Sequence, residues 1–388
     1  MTENTKLNVK VVAALTLVHF TGDFYSSFTS PLLPVYVDKL ALSMAQVGLL
    51  TGMIRLLAFV VQPCVGYLAD RYQTRAFILW GVFLTVTCIP FSGIAPNFYV
   101  LMAVLAAGSA GSSMFHPSVT GMLPLYSGPR RGLCMSIFNT GGTLSFAIGP
   151  VFISWYVGRF SLEAMPWTMV LGLMSILFCL RAIPMPVSEG MQNSGFWGSL
   201  NESLGHVWKP ISLIWIVMVL RAVAGQSFIT FMPIFLVQKG YDLISVGFIV
   251  SLFILAGTVS GLLSGSLSDS MGFKRIFFVT HLLMTPALLA YLFMPGAFVY
   301  AGAFIGGFFA LATMPLGVLM AQRLAPKGRS MVSSLMMGLA YGLGGLFSPL
   351  VGKLADIYSI ETVLFWTAFV PLITLIPIVK FPQLEKEA

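Results

Sequence analysis

The chain has 388 residues, 57% of them hydrophobic and 9% charged, with a mean hydropathy of +0.91 and a formal charge of +8. A water-exposed chain carries roughly a quarter charged residues, so this composition excludes a soluble globular protein and predicts an integral membrane protein. The positive balance follows from topology, as argued below, and gives no reason to expect a nucleic-acid partner.

A membrane helix needs about 20 mostly apolar residues. Twelve segments meet that need. The first, 11–37, carries His19 and Asp23 four residues apart, on one helix face. The second, 45–68, holds Arg55 and runs into "GYLADRYQTR" (66–75). After 76–94 comes 97–124, which contains "SSMFHP" (112–117) and so His116 and Pro117. The fifth, 132–158, opens after Arg130 and Arg131 and includes Asn139; the sixth is 166–184. A polar stretch, 185–209, then divides the chain. Its Phe196, Trp197 and Trp208 suit either an amphipathic helix on the membrane or a plain linker. The second set is 210–238, with Arg221 and Gln226, then 244–267, 275–294, 297–322, 330–355 and 362–380. The expected architecture is an all-α membrane protein. Its twelve transmembrane helices form two pseudo-symmetric six-helix bundles, 1–184 and 210–388, joined by a cytoplasmic linker at 185–209.

With the N-terminus in the cytoplasm, fifteen Lys and Arg face inward and only Lys39, Arg159, Lys239 and Lys353 face outward. That asymmetry predicts both termini inside a bacterial plasma membrane. No cleavable signal peptide is expected, because the first apolar run is too long for one. Cys64, Cys88, Cys134 and Cys179 fall inside spans and read as packing residues, not a disulfide frame or metal cluster. No nucleophile–base motif or phosphate loop appears, so neither an enzyme nor a cofactor is expected.

The halves repeat. With a shift of 199, Pro34 meets Pro233, Val47-Gly48 meets Val246-Gly247, and "GYLAD" (66–70) meets "GSLSD" (265–269). With a shift of 198, Pro117 meets Pro315 and Arg131 meets Arg329. Parallel repeats in transporters place the substrate at their interface near the bilayer midplane.

"GYLADRYQTR" resembles the loop signature of the major facilitator superfamily, with Gln73 where glycine is usual. "GGTLSFAIGP" (141–150) resembles part of that superfamily's fifth-helix antiporter motif, with Val and Phe where later glycines are expected. "HFTGD", "QVGLLTGMIRLLAFVVQPCVGYLAD", "GSSMFHP" and "GLCMSIFNTGG" are similar to the fosmidomycin resistance family of drug exporters. The resemblance covers the whole chain and implies an alternating-access transporter of a small molecule.

The loop residues suit gating. Gly66 permits close helix approach, Asp70 can cap a facing helix N-terminus, and Arg71 and Arg75 can bind carboxylates or helix C-termini. Arg131 recurs as Arg329 in the repeat, and Asp269 and Arg275 stand at the matching place in the second half. Setting topology is their alternative role.

Residues that do not repeat point to chemistry. His19 corresponds to Met218, Asp23 to Ala222, Arg55 to Ile254 and His116 to Met314. Conversely, Arg221 corresponds to Gly22 and Gln226 to Ser27. A charge at the centre of a membrane helix costs at least ~2.5–3.5 kcal/mol, and the scaffold works at the mate position without it. Asp23 is the expected proton carrier, with His19 beside it and Arg55 as ion partner. The alternative is a static Asp–Arg pair. His116, Arg221, Gln226 and Asn139 are the expected substrate contacts, with His116 and Arg221 on opposite walls of one cavity. Pro117 is expected to loosen its helix. Three functions fit this set. The first is proton-coupled export of a small polar or anionic compound by a monomer. The second is proton-coupled uptake of an organic anion, and the weakest is metal export through His19, Asp23 and His116.

Overall fold

The computed structural model describes residues 6–71, 74–184, 207–325, 336 and 340–382, without the side chains at 63, 66–71, 74, 124, 131, 132, 269, 340 and 341. The first half forms α1 (Val9–Ser26), α2 (Thr29–Leu40), α3 (Met44–Arg71), α4 (Thr74–Phe91), α5 (Phe98–Tyr126), α6 (Arg131–Phe160) and α7 (Met169–Ala182). The second half begins with α8 (Trp208–Gln238), α9 (Leu243–Met271), α10 (Phe273–Phe293), α11 (Phe298–Leu311) and α12 (Met314–Leu324). It ends with α13 (Ala340–Leu346), α14 (Ser348–Tyr358), α15 (Ile360–Thr367), α16 (Val370–Ile373) and α17 (Leu375–Val379). No strand occurs among the described residues.

Ten of the twelve expected spans are long and apolar enough to cross a membrane among the described residues. The first expected span is divided at Ser27 into α1 and α2. Pro31 and Pro34 have no N–H to return to the carbonyls of Ser27 and Ser30, so the helix restarts there. The eleventh falls partly outside the described residues, and the rest forms α13 and α14. The eighth helix opens at Trp208, so Trp208 belongs to it and not to the connecting stretch; residues 185–206 lie outside the described set.

Contacts divide the chain into two compact units, residues 1–41 with 60–192, and residues 42–59 with 193–388. The division cuts α3, whose first part belongs with the second unit. In the first unit α1 is central and packs against α4, α5, α6 and α7. In the second unit α8 touches α9, α11, α12, α13 and α15.

The duplication extends to side chains that the repeat alignment did not single out. Lys39 pairs with Glu163 at 2.8 Å in the first unit, and Lys239 pairs with Glu361 at 3.0 Å in the second. The lysines are 200 residues apart and the glutamates 198. Each pair ties the end of its unit's first span to the start of its sixth. These pairs are exposed, so each contributes at most about 1 kcal/mol.

Asp242 caps α9, accepting from the Ile244 and Ser245 amides at 3.0 Å and from the Ser245 hydroxyl at 2.7 Å. Those bonds, the Ser245 amide first, hold its carboxyl below the ordinary 3.8. Its stabilising effect is therefore complete above the ordinary carboxylate range and fades as pH falls through the lowered value. Asp242→Ala is expected to cost about 1 kcal/mol of stability at neutral pH. Thermal unfolding of the two proteins should converge in strong acid.

Candidate functional site: a histidine–aspartate–histidine cluster

α1 sets His19 and Asp23 one turn apart, and the His19 Nε2 meets Asp23 Oδ2 at 3.1 Å. α5 supplies the third group: His116 Nε2 meets Asp23 Oδ1 at 2.9 Å. Each oxygen of one carboxylate therefore faces its own imidazole. The second nitrogen of each ring is fixed by backbone. His19 Nδ1 donates to the Phe138 carbonyl of α6 at 3.0 Å, and His116 Nδ1 donates to the Ser112 carbonyl at 2.7 Å. A carbonyl only accepts, so both Nδ1 atoms carry hydrogen.

Aromatic and glycine packing holds the cluster. The Phe138 ring stacks on His19 with centroids 4.0 Å apart, and Phe115 stacks on His116 at 4.3 Å. The two imidazoles meet edge to face at 5.3 Å. Gly142 of α6 lies directly against the His19–Asp23 contact. A Cβ there would fall 2.4 Å from His19 Cε1 and 2.9 Å from Asp23 Oδ2. His19 is 9% exposed and Asp23 4%, while His116 is the open member of the three, half-buried.

Three ligating atoms within 4.8 Å of one another could in principle hold a metal ion. Bound to one ion at about 2.0–2.2 Å, ligand atoms stand about 3.4 Å apart. The 2.9 and 3.1 Å contacts are shorter than that, and Asp23 Oδ1 makes no hydrogen bond among the described residues.

Pro117 does not break its helix: α5 runs unbroken from Phe98 to Tyr126. Side chains around the proline supply donors to the backbone. Ser113 donates to the Ser109 carbonyl, His116 to Ser112, Ser118 to Met114 and Thr120 to His116. None of these four bonds reaches the Ser113 carbonyl, the one that loses its amide partner at Pro117. The mate proline behaves differently. Pro315 sits in the first turn of α12, after a break from α11 at Ala312.

The other expected site residues are described within their own units. Each Asp23 oxygen lies within 3.1 Å of a histidine nitrogen. Arg55 is grouped with the second unit, where a Cβ on Gly345 would lie 2.4 Å from its own Cβ. Arg221 is 1% exposed inside the second unit, and its Nη1 donates to the Ala310 carbonyl at 2.7 Å. In this arrangement it offers no surface to a ligand. Gln226 is buried in the same helix and Asn139 is exposed on α6. Arg75 donates to the Leu180 carbonyl within the first unit, and Arg275 is exposed. Gly66 falls in α3, but its surroundings and the side chains of Asp70, Arg71, Arg131 and Asp269 lie outside the described residues.

Two residues escaped the sequence reading. His281 of α10 is 1% exposed, with Nδ1 donating to Phe277 O at 2.8 Å. Asp356 of α14 accepts from the Met44 and Ala45 amides at 2.7 and 2.9 Å, capping the start of α3 within the second unit. A Cβ on Gly352 would lie 2.0 Å from the Met44 carbonyl oxygen, and one on Gly48 2.1 Å from that of Ser348, so glycines set this close approach. A sequence signal existed: "GKLAD" (352–356) is a third copy of the pattern seen at 66–70 and 265–269.

A sequence model of the Major Facilitator Superfamily matches residues 15–349. The Fosmidomycin resistance protein of Escherichia coli (strain K12) is 25% identical over 381 residues, 97% of this chain and 94% of that protein. The Quinolone resistance protein NorA of Staphylococcus aureus is 31% identical over 124 residues, 31% of this chain and 32% of NorA. Among solved structures, a bacterial homologue of the human lysosomal transporter Spinster superposes with a TM-score of 0.80 at 15% identity, covering 96% of each chain. The chain belongs to the Major Facilitator Superfamily, with its all-helical twelve-span fold, and is a membrane transporter, not an enzyme.

Proposed function

We propose that the chain is a proton-coupled exporter of a small polar or anionic compound, seated in a bacterial plasma membrane with both termini in the cytoplasm. The observation that carries this reading is the His19–Asp23–His116 cluster, a buried carboxylate contacted on both oxygens by imidazoles. Isolated charge is costly in a membrane helix and marks proton relays when it occurs. Histidine changes charge near neutral pH. Similarity to one resistance protein along nearly the whole chain supports export of a drug-like compound. The inward bias of Lys and Arg supports the orientation.

The test is transport by the purified protein in proteoliposomes with an imposed pH gradient, against a panel of anionic antibiotics including fosmidomycin. Substrate should move opposite to the proton flow. Accumulation alongside protons would make the chain an uptake symporter, and movement indifferent to the gradient would end the proton-coupled reading.

Gating belongs to the same proposal. The cap of α3 by Asp356 supports a latch that must open for alternation. Asp356→Asn should raise labelling of a cysteine placed at Ala45 by an impermeant thiol reagent several-fold. Unchanged labelling with normal turnover would count against the latch.

A further inference from the structure

The starts of α1 and α4 and the ends of α5 and α7 border a cavity of about 350 Å³ in the first unit. These are ends of the first, third, fourth and sixth spans, so all four lie on one side of the membrane. Lys10, Arg75 and Arg181 line the cavity together with Asn8 and Tyr126, and no acidic side chain does among the described residues. Positive charge gathered without a carboxylate favours an anion. α1 and α4 also begin at this end, with no acidic residue in either first turn, and helix N-termini attract anions.

The second half separates what the scaffold needs from what this cavity adds. Arg75 Nη2 donates to the Leu180 carbonyl, and Lys274 Nζ donates to the Val379 carbonyl. Donors and acceptors are each 199 residues apart, so this tie is a duplicated feature that a lysine can make. Arginine has five N–H donors, and Arg75 Nε is buried with no hydrogen bond among the described residues. Lys10 and Arg181 recur as Lys209 and Lys380, whereas Asn8 and Tyr126 correspond to Val207 and Ala325. The guanidinium fork and the two polar side chains are therefore particular to the first unit.

Apolar side chains flank the charges. Val9 beside Lys10, Leu125 beside Tyr126 and Leu177 one turn before Arg181 are 66%, 43% and 63% exposed. A free phosphate ion has no use for them, but acyl chains do. We propose that the cavity binds the phosphate of an anionic phospholipid, held by Arg75, Arg181 and Lys10, with the acyl chains along the flanking apolar side chains. A basic pocket between membrane helices suits such a headgroup. The site is separate from the His19–Asp23–His116 cluster and does not depend on what the transporter carries.

The test is native mass spectrometry of the full-length protein in detergent, titrated with phosphatidylglycerol or with phosphatidylcholine, which has the same phosphate but no net charge. One phosphatidylglycerol should bind about tenfold more tightly than phosphatidylcholine. Arg75→Lys keeps the charge and can keep the carbonyl tie, as Lys274 does, but loses the fork; it should bind phosphatidylglycerol about tenfold more weakly. Arg181→Gln should weaken binding several-fold. Lys380→Gln, the same loss of charge at the mate position, should leave it unchanged. Arg181 is exposed, so its variant decides the matter if Arg75→Lys does not fold. Millimolar inorganic phosphate should fail to displace the lipid. Displacement by phosphate alone would assign the cavity to a free anion and overturn the lipid proposal. Equal binding of the two lipids would also overturn it, as would wild-type affinity in Arg181→Gln or in folded Arg75→Lys, or a loss in Lys380→Gln as large as that in Arg181→Gln.

Discussion

Asp23→Asn should reduce pH-gradient-driven transport by at least tenfold, to the level of empty vesicles, while the protein folds and inserts normally. Asparagine has nearly the volume of aspartate, so the packing of α1 against α5 and α6 is kept. Its amide nitrogen can donate to the Nε2 lone pair of a neutral imidazole, a bond that a smaller residue would lose. An unsatisfied buried polar group costs about 1–3 kcal/mol, so Asp23→Ala would confuse lost coupling with lost stability. What asparagine cannot do is carry a proton. Substrate exchange without a gradient should therefore survive, and only accumulation should fail. Accumulation against a gradient with a normal pH response in Asp23→Asn would remove Asp23 from the coupling step. Asn139→Ala would then test a polar group exposed on α6.

Gly142→Ala should impair coupling nearly as strongly, although the residue has no chemistry of its own. Two effects compete. Alanine in place of glycine inside a helix is favourable by about 1 kcal/mol. Overpacking a filled site costs about 1–3 kcal/mol. The added methyl would fall 2.4 Å from His19 Cε1 and 2.8 Å from His19 Nε2, so the ring must swing away. The His19–Asp23 contact is lost, and the His116–Asp23 contact on the other oxygen is left. Gradient-driven transport should fall about tenfold and its pH profile should shift, with a change of only a few degrees in melting temperature. Gly121→Ala on α5 is the control, because its Cβ would meet nothing within 4 Å. Equal effects at the two glycines would show that helix propensity, not the crowding of His19, is responsible.

Local pattern determined much of this protein. Hydropathy runs located the spans, because a lipid-facing helix must be apolar along its whole length. The i,i+4 spacing placed His19 beside Asp23, because helix geometry alone fixes that neighbour. Comparing the halves separated repeated scaffold residues from unrepeated polar ones, and three of the latter form the cluster. The superfamily could be identified from its loop and helix motifs.

Tertiary structure decided the rest. Which helix face turns toward which neighbour depends on the rotation of each helix and on how closely backbones approach, and neither is encoded within one turn of sequence. His116 reaches Asp23 across 93 residues because α5 and α6 close around α1 through Gly22 and Gly142. The same closure sets a histidine nitrogen within 3.1 Å of each carboxylate oxygen. Arg221 sits buried, donating to a carbonyl of α11, an outcome set by how α8 packs on α11. Pro117 leaves α5 intact while Pro315 follows a break, a difference their shared place in the repeat does not give. Asp356 caps α3 from 311 residues away, a contact visible only once glycines bring the two helices together. Composition and period act over a few residues and are legible in the chain; the meeting of distant polar groups is a property of the folded bundle.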